Sequence, residues 1–170
     1  MILAIDPGNI ESGYICLGSG SFPPKILDFD KIRNDQLIHL VKNLSKDGVT
    51  ELAIEIPACY GMAVGQSVFD TCIWAGRFME AFIWKSHRVY RKKTSEEGCP
   101  GECMSICKNN RAKDSNIRQA LIDLYPATGG GKTPQIGTKK EPGPLYGISK
   151  DVWAALAVGI TYIKWKDGIE

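Results

Sequence analysis

The chain has 170 residues, with 21 lysines and arginines against 19 aspartates and glutamates, and a hydrophobic content of 44%. This length and composition predict one globular domain over residues 1–170, large enough to bury a sizeable core. No apolar run approaches the roughly 18 residues that a membrane span needs, and the N-terminus lacks the pattern of a secretory signal. We therefore expect a cytoplasmic protein with reduced cysteines and no membrane partner.

The net charge of +2 is unevenly distributed along the chain. Residues 1–84 carry a formal charge of −4, residues 85–140 carry +7, and residues 141–170 carry −1. An acidic part joined to a basic part suits a polyanionic substrate, although solvated surface charge would give the same asymmetry.

The first 29 residues predict three short strands. Residues 1–5 form an apolar run that ends in Asp6, and Pro7-Gly8 then stops the strand. Residues 12–17 and 25–29 read as the next two strands, which suggests an antiparallel meander.

The rest of the chain alternates helices with strands. A second buried strand over 51–56 carries Glu55 near its end, and a short strand follows at 88–90. Residues 91–113 break the pattern, Asp114 or Ser115 is the expected N-cap of the next helix, and 126–148 read as a long loop. Helices are predicted over 35–46, 66–85, 115–124 and 150–165. The sequence thus predicts an α/β fold, a mixed sheet flanked by helices.

Three carboxylates are the strongest candidates for a functional site. Asp6 and Glu55 each end a buried strand, and Asp151 lies in the first turn of the last helix. If the two strands are neighbours, their ends lie about 5 Å apart, within reach of one cation. Oxygen ligands suit Mg²⁺ or Mn²⁺, and two such ions can drive phosphodiester hydrolysis. The alternatives are turn chemistry at Asp6 and a helix-dipole contact at Asp151.

The same segments resemble the three acidic motifs of RuvC-type Holliday-junction resolvases, in matching order and spacing over nearly the whole chain. They are the run from Ile2 to Gly8, Leu52-Ala53-Ile54-Glu55, and the run from Asp151 to Ala157. The segment from Pro142 to Gly147 is similar to the phage-encoded subgroup. The resemblance implies an RNase H-like fold with a mixed five-stranded sheet, a homodimer, and Mg²⁺-dependent nicking of Holliday junctions and other branched DNA. It also implies that Asp6, Glu55 and Asp151 are metal ligands.

The chain departs from this family at one position. A second acid or histidine usually follows one turn after the first on the last helix, where this chain has Ala154. Asp114 is a candidate for the missing ligand, and a helix cap is the alternative. Its neighbour Lys113 could instead supply positive charge near the phosphate.

Basic residues in the middle of the chain are candidates for phosphate contacts, which position DNA without reading its sequence. Tyr60, shortly after Glu55, could wedge against a base, although packing is the simpler interpretation. The candidate cations are Arg91, Lys92, Lys93, Lys113, Arg118, Lys132, Lys139 and Lys140.

Two other motifs do not support a different activity. The segment from Gly129 to Thr133 lacks the first glycine of a phosphate-binding loop and is followed by Pro134, so we expect no nucleotide cofactor. Cys99, Cys103 and Cys107 recur every four residues, but reduced thiols explain them better than a zinc site that would need a fourth ligand such as His87.

Two alternative functions remain open from the sequence. One is a catalytically silent module that binds branched DNA, which the absent fourth acid would favour. The other is a sugar-kinase-like nucleotide-binding fold, which also begins with a strand ending in an aspartate but needs two such domains.

Overall fold

The structure is a computed structural model that describes residues 1–57, 63–82, 87–90 and 101–169. Within these residues the chain forms five strands and five helices. The strands are β1 (Ile2–Asp6), β2 (Glu11–Leu17), β3 (Ile26–Arg33), β4 (Glu51–Glu55) and β5 (His87–Tyr90). The helices are α1 (Asn34–Lys46), α2 (Gln66–Ala81), α3 (Glu102–Cys107), α4 (Asp114–Leu124) and α5 (Lys150–Asp167). None of these helices is long and apolar enough to cross a bilayer.

The described strands form one mixed sheet in the order β3-β2-β1-β4-β5. The first three strands pair in antiparallel fashion, as the predicted meander requires. β4 lies parallel to β1 and β5 lies parallel to β4. Parallel neighbours need a crossover connection, and α2 lies in the one that joins β4 to β5. A mixed sheet with flanking helices confirms the predicted fold class.

The sheet has a hydrophobic core on each face. Side chains alternate along a strand, so Ile2 and Ala4 of β1 pack beneath α4 and α5, whereas Leu3 and Ile5 pack beneath α1 and α2. Because both faces are covered, the central strand is apolar throughout and only its last residue, Asp6, is a carboxylate.

α5 crosses the centre of the sheet and is buried over most of its length. Gly159 permits the close approach, since a Cβ there would lie 3.1 Å from Cβ of Ala4. At the C-terminal end of α5, the Tyr162 hydroxyl donates a hydrogen bond to Glu51, and Nζ of Lys166 lies 2.8 Å from the other oxygen of that carboxylate. Since Glu51 begins β4, the opposite end of α5 lies at the carboxyl ends of β1 and β4.

Two predicted boundaries differ from the structure. β3 continues to Arg33 rather than ending at Phe29, because it is an outer strand whose exposed polar residues hide the strand pattern. α2 ends at Ala81 with Phe82 as its extended C-cap, and the rest of the predicted helix, residues 83–85, lies outside the described residues.

Two predictions near α4 are wrong. The segment predicted to lack regular structure contains α3, which is only six residues long and ends at Lys108 in the left-handed conformation (φ 55°). The N-cap of α4 is Lys113, not Asp114 or Ser115. The side chain of Asn116 accepts a hydrogen bond from the Lys113 backbone N–H at 3.0 Å, which satisfies the cap without an acidic residue.

The connection between α4 and α5 is an ordered loop. Its two limbs are joined by backbone hydrogen bonds, including Gly143 N–H to the Ile136 carbonyl and Leu145 N–H to the Gln135 carbonyl, both at 2.9 Å. Leu145 is fully buried and anchors the loop to the core. A Cβ on Gly143 would overlap the backbone at Gln135, so only glycine permits this close packing.

Candidate active site

A row of residues crosses the sheet where β1 ends. Asp6 pairs with Gly13 of β2, and Gly13 pairs with Lys31 of β3. On the other side of β1, Ile5 is paired with Ile54, so Asp6 and Glu55 are the next residues on two parallel neighbours. Both are half-buried and follow the alternation that points Ala4 and Ala53 toward α5. The structure therefore brings Asp6 and Glu55 to one edge, as predicted for neighbouring strands.

Asp151 reaches the same edge through the start of α5. A Cβ on Gly13 would lie 2.6 Å from the backbone oxygen of Asp151, so the absent side chain of Gly13 lets α5 begin directly against β2. Gly13 is also the partner of Asp6 in the β1–β2 ladder. We call the carboxyl ends of β1 and β4, together with the start of α5, the acidic edge; it carries Asp6, Glu55 and Asp151.

The turn that follows Asp6 is held by a buried polar network. The Asn34 side-chain amide donates to the carbonyl of Gly8 at 2.9 Å, and the Ser12 hydroxyl donates to Asn34 Oδ1 at 2.6 Å. The backbone N–H of Gly8 in turn donates to Ser12 Oγ at 3.1 Å. Asn34 and Ser12 are each 1% exposed. This network fixes the direction in which the chain leaves Asp6.

Asp151 forms an ion pair with Lys31. Nζ of Lys31 lies 2.7 Å from Oδ2 of Asp151 and 3.3 Å from the Glu11 carboxylate. Hydrogen bonds to Asp151 first, and then to Glu11, raise the pKa of Lys31, so the side chain is a permanent cation at the acidic edge. Neither Lys31 nor Glu11 was a candidate from the sequence, since a lysine in an exposed strand has no distinguishing pattern.

The acidic edge suits a divalent cation by donor type but is not arranged as a complete metal site. Its three carboxylates are oxygen donors of the kind that Mg²⁺ and Mn²⁺ prefer. Among the described residues, however, no three acidic, histidine or cysteine side chains are grouped closely enough to hold a metal ion. The cation that Asp151 contacts is instead Lys31. A metal bound by all three acids would require Asp151 to exchange or share this partner.

Asp114, the candidate fourth ligand, lies in the first turn of α4. It lines a cavity of about 640 Å³ between α3, α4 and α5, together with Ala154, the position where the resemblance led us to expect an acid. Lys113 precedes it as the N-cap of α4.

The basic candidates occupy different parts of the chain. Lys132, Lys139 and Lys140 are exposed on the ordered loop between α4 and α5. Arg118 is exposed on α4, and its guanidinium carbon lies 4.9 Å from the ring centre of Trp153. The remaining candidates lie outside the described residues; they are Tyr60, Arg91, Lys92 and Lys93.

Two of the three regularly spaced cysteines lie on α3. Cys103 and Cys107 are free thiols that pack against the core, and Cys103 Sγ donates to the Ala112 carbonyl at 3.5 Å. Burial first, and then Cys103, raise the pKa of Cys107, which favours the protonated thiol over the thiolate that zinc requires. Cys99 and the side chain of His87 lie outside the described residues.

Comparison with known proteins gives a structural likeness without a sequence match. No family model matches the chain, and no curated protein matches it. Two structures of RuvC from Thermus thermophilus align over nearly its whole length. One, "Thermus thermophilus RuvC structure", has a TM-score of 0.61 and 14% identity and covers 98% of this chain and 96% of that one. The chain has the RNase H-like fold of RuvC.

The second RuvC structure is described as "in complex with Holliday junction substrate". It aligns with a TM-score of 0.66 at 13% identity, covering 99% of this chain and 95% of that one. At this level of identity the likeness establishes the fold alone, because one fold supports many activities. The RuvC-like topology nevertheless explains why residues 6, 55 and 151 share one edge.

Proposed function

We propose that this protein is a metal-dependent endonuclease that nicks Holliday junctions and other branched DNA. The observation that carries the proposal is the convergence of Asp6, Glu55 and Asp151 on the acidic edge of a RuvC fold. A solved RuvC structure with a Holliday junction supports the same class of substrate. We further propose a phage-encoded member of this group, acting in the host cytoplasm.

Asp6, Glu55 and Asp151 would hold two Mg²⁺ or Mn²⁺ ions. Such ions supply Lewis-acid activation of water and neutralise the charge that develops on the phosphodiester. The protein's own part is positional. Two rigid strands fix Asp6 and Glu55, and the network at Asn34 holds the turn after Asp6. Asp114, which lines the same cavity as Ala154, remains a candidate for the fourth metal ligand.

Phosphate contacts would come from exposed cations on the loop before α5 and on α4. The ordered loop presents Lys132, Lys139 and Lys140 at a small entropic cost, because its backbone is already fixed by hydrogen bonds. Lys113 and Arg118 on α4 are further candidates for such contacts. Arg91, Lys92 and Lys93, which lie outside the described residues, stay candidates from the sequence. These contacts would orient the DNA rather than select a sequence.

A homodimer would allow two symmetric nicks in one junction. α2 supports this proposal, since Phe69 and Ile73 lie one turn apart and are 54% and 59% exposed. Exposed large apolar side chains on one helix face are typical of a subunit interface.

A catalytically silent module that binds branched DNA is the second candidate. It is favoured by the ion pair between Lys31 and Asp151, which occupies one of the three acids, and by the absence of an acid at Ala154. The two candidates differ in cleavage and not in binding.

Cleavage of a synthetic four-way junction in Mg²⁺ tests the proposal, with a linear duplex of the same sequence as the substrate control. We expect selective nicking that Asp6→Asn abolishes while junction binding is retained. Asp47→Asn, an exposed acid after α1, is the matched control and should cleave normally. Binding without cleavage in either Mg²⁺ or Mn²⁺ would favour the silent module. A protein that neither binds nor cleaves the junction would contradict both candidate functions.

A further inference from the structure

Asp114 and Arg118, which line the cavity between α3, α4 and α5, are already candidates for metal and phosphate contacts, but the cavity itself has no role in the function proposed so far. We propose that it binds one nucleobase of the DNA substrate; this rests on the proposed function and names a second contact with the same DNA. Its volume of about 640 Å³ lies within the range of pockets that hold small ligands, roughly 300–1,000 Å³.

The cavity combines apolar walls with a planar cation. Ile117, Leu121 and Ile136 line it together with Trp153. The Arg118 guanidinium stacks on the Trp153 ring at 4.9 Å. Apolar walls beside a guanidinium plane favour a flat aromatic group, since arginine and indole faces both stack on bases.

The polar groups of the cavity match a neutral heterocycle. Trp153 is 7% exposed, and its indole N–H has no acceptor in the described parts of the chain. A buried donor without a partner is unfavourable, but this N–H is closed off from the cavity, so an occupant would meet the indole ring rather than its N–H. The carboxylate of Asp114 also lines the cavity and can accept from an exocyclic amino group.

The charge of the lining argues against a phosphate as the occupant. Among the described residues that line it, Glu102 and Asp114 carry carboxyl groups and Arg118 is the one cation. An anion would gain one favourable partner and meet at least one repulsive group. A nucleobase carries no net charge and therefore avoids this repulsion.

The cavity lies beside the acidic edge. Ala154, which lines it, is one helical turn after Asp151, a rise of about 5 Å along α5. A nucleotide whose phosphate lies at the acidic edge could therefore place its base, or that of a neighbour, in the cavity. Moving a base out of the stack costs a few kcal/mol, and the cost is smallest where the base is unpaired or poorly stacked.

The test uses four-way junctions that carry 2-aminopurine at single positions around the branch point, bound to the Asp6→Asn protein so that no cleavage occurs. A base that leaves the stack gains fluorescence. We expect a rise at one position, and we expect Ala154→Leu, which fills the cavity, and Arg118→Lys, which keeps the charge but loses the planar face, to remove most of it. Ala154→Leu should still bind the junction. Because Arg118 is itself a proposed phosphate contact, the fluorescence of Arg118→Lys is compared at protein concentrations that saturate the junction.

Trp153→Phe removes the pyrrole ring together with the indole N–H, which reduces the aromatic surface, and it should weaken the signal, with Trp74→Phe on α2 as the matched control. Junction binding with no fluorescence rise at any position would overturn the base site and leave the proposed nuclease intact. A rise unaffected by Ala154→Leu and Arg118→Lys would also overturn it. Loss of junction binding in the Asp6→Asn protein itself would contradict the proposed function instead.

Free nucleotides provide the second arm. The four deoxynucleoside monophosphates are titrated against the protein and followed by tryptophan fluorescence. If the free nucleotides bind but no position of the junction gives a 2-aminopurine signal, the cavity binds free nucleotides and not a base of the DNA, which would overturn the proposal.

Discussion

Lys31 and Asp151 are joined by an ion pair whose Nζ–Oδ2 distance is 2.7 Å, and the pair sits at the acidic edge. The same carboxylate is a candidate metal ligand, so Lys31 and a divalent cation would compete for it. Both side chains are about 40% exposed, which limits the strength of the pair through solvent screening.

Replacement of Lys31 by methionine should therefore tighten Mn²⁺ binding. Removing the competing ammonium frees Asp151, and we expect affinity to rise about two- to fivefold at low salt, the range for an exposed ion pair. Titration calorimetry measures it, and Lys42→Met on α1 is the control for a general charge effect. Unchanged or weaker Mn²⁺ binding would mean that Lys31 positions Asp151 rather than competing for it.

Asn34→Ala should destabilise the fold by about 1–3 kcal/mol, because it leaves the Gly8 carbonyl and the Ser12 hydroxyl without their buried partner. Urea unfolding measures the free energy. Asn43→Ala, in the same helix but exposed, should change it by less than about 0.5 kcal/mol. Equal effects of the two substitutions would show that the network contributes nothing specific.

Gly13→Ala should displace α5 from β2, because the new Cβ would overlap the Asp151 backbone. We expect a loss of about 1–3 kcal/mol of stability and weaker Mn²⁺ binding. Gly76→Ala provides the matched comparison. It lies within α2 with open space around it, so alanine should stabilise the helix by about 0.5–1 kcal/mol. Wild-type Mn²⁺ affinity in Gly13→Ala would argue against Asp151 as a ligand.

Glu51 should make stability depend on pH. Burial raises its pKa, but the Lys166 ammonium and the Tyr162 hydroxyl together outweigh burial and leave the pKa below 4.5. A carboxylate with a lowered folded-state pKa contributes stability above its unfolded pKa, and this contribution is lost as the pH falls through the folded value.

Unfolding free energies of wild type and Glu51→Gln, measured from pH 7 to pH 3, test this expectation. The wild type should be more stable by about 1 kcal/mol at pH 7, and the difference should shrink below pH 4.5. Glu80→Gln, an exposed acid on α2, should show no such convergence. A difference that stays constant over this range would contradict the assignment.

The lysines of the ordered loop should control the salt dependence of DNA binding. Each phosphate contact contributes about 0.9 to the slope of log K against log salt. Alanine at Lys132, Lys139 and Lys140 should reduce the slope by about that amount for each lysine that contacts phosphate. The control replaces Lys25, Lys42 and Lys46, which are exposed elsewhere, and should leave the slope unchanged. Equal slopes for both triple variants would place the DNA on another surface.

The sequence predicted those parts of the fold that have a strong local pattern. β1 and β4 are short apolar runs ending in one acid, and both lie where that pattern indicates. An exposed strand and a six-residue helix carry little periodicity. The sequence therefore predicts only the first part of β3 and does not predict α3. The sequence predicts that Asp6 and Glu55 each end a strand, and their convergence also requires the two strands to be neighbours, which the β1–β4 pairing shows. The ion pair of Asp151 with Lys31 is not predictable from the sequence, since it depends on the register between β2 and β3.

The N-cap of α4 illustrates a second limit. Aspartate and serine are preferred caps, so Asp114 and Ser115 were reasonable expectations. The structure uses Lys113 because Asn116, three residues later, supplies the acceptor for its backbone N–H. Such reciprocal contacts depend on side chains on both sides of the cap and are not evident from residue preference.

The acidic edge also depends on the order in which distant parts of the chain fold together. Asp6 and Asp151 are 145 positions apart in the chain. Asp151 comes to lie against Gly13 only after α5 has packed across the sheet. Contacts between such distant segments form late, because the intervening chain must first be closed into a loop. A partly folded chain would thus hold Asp6 and Glu55 without Asp151. The proposed nuclease would remain inactive throughout folding and gain the ability to cut DNA only in its finished state.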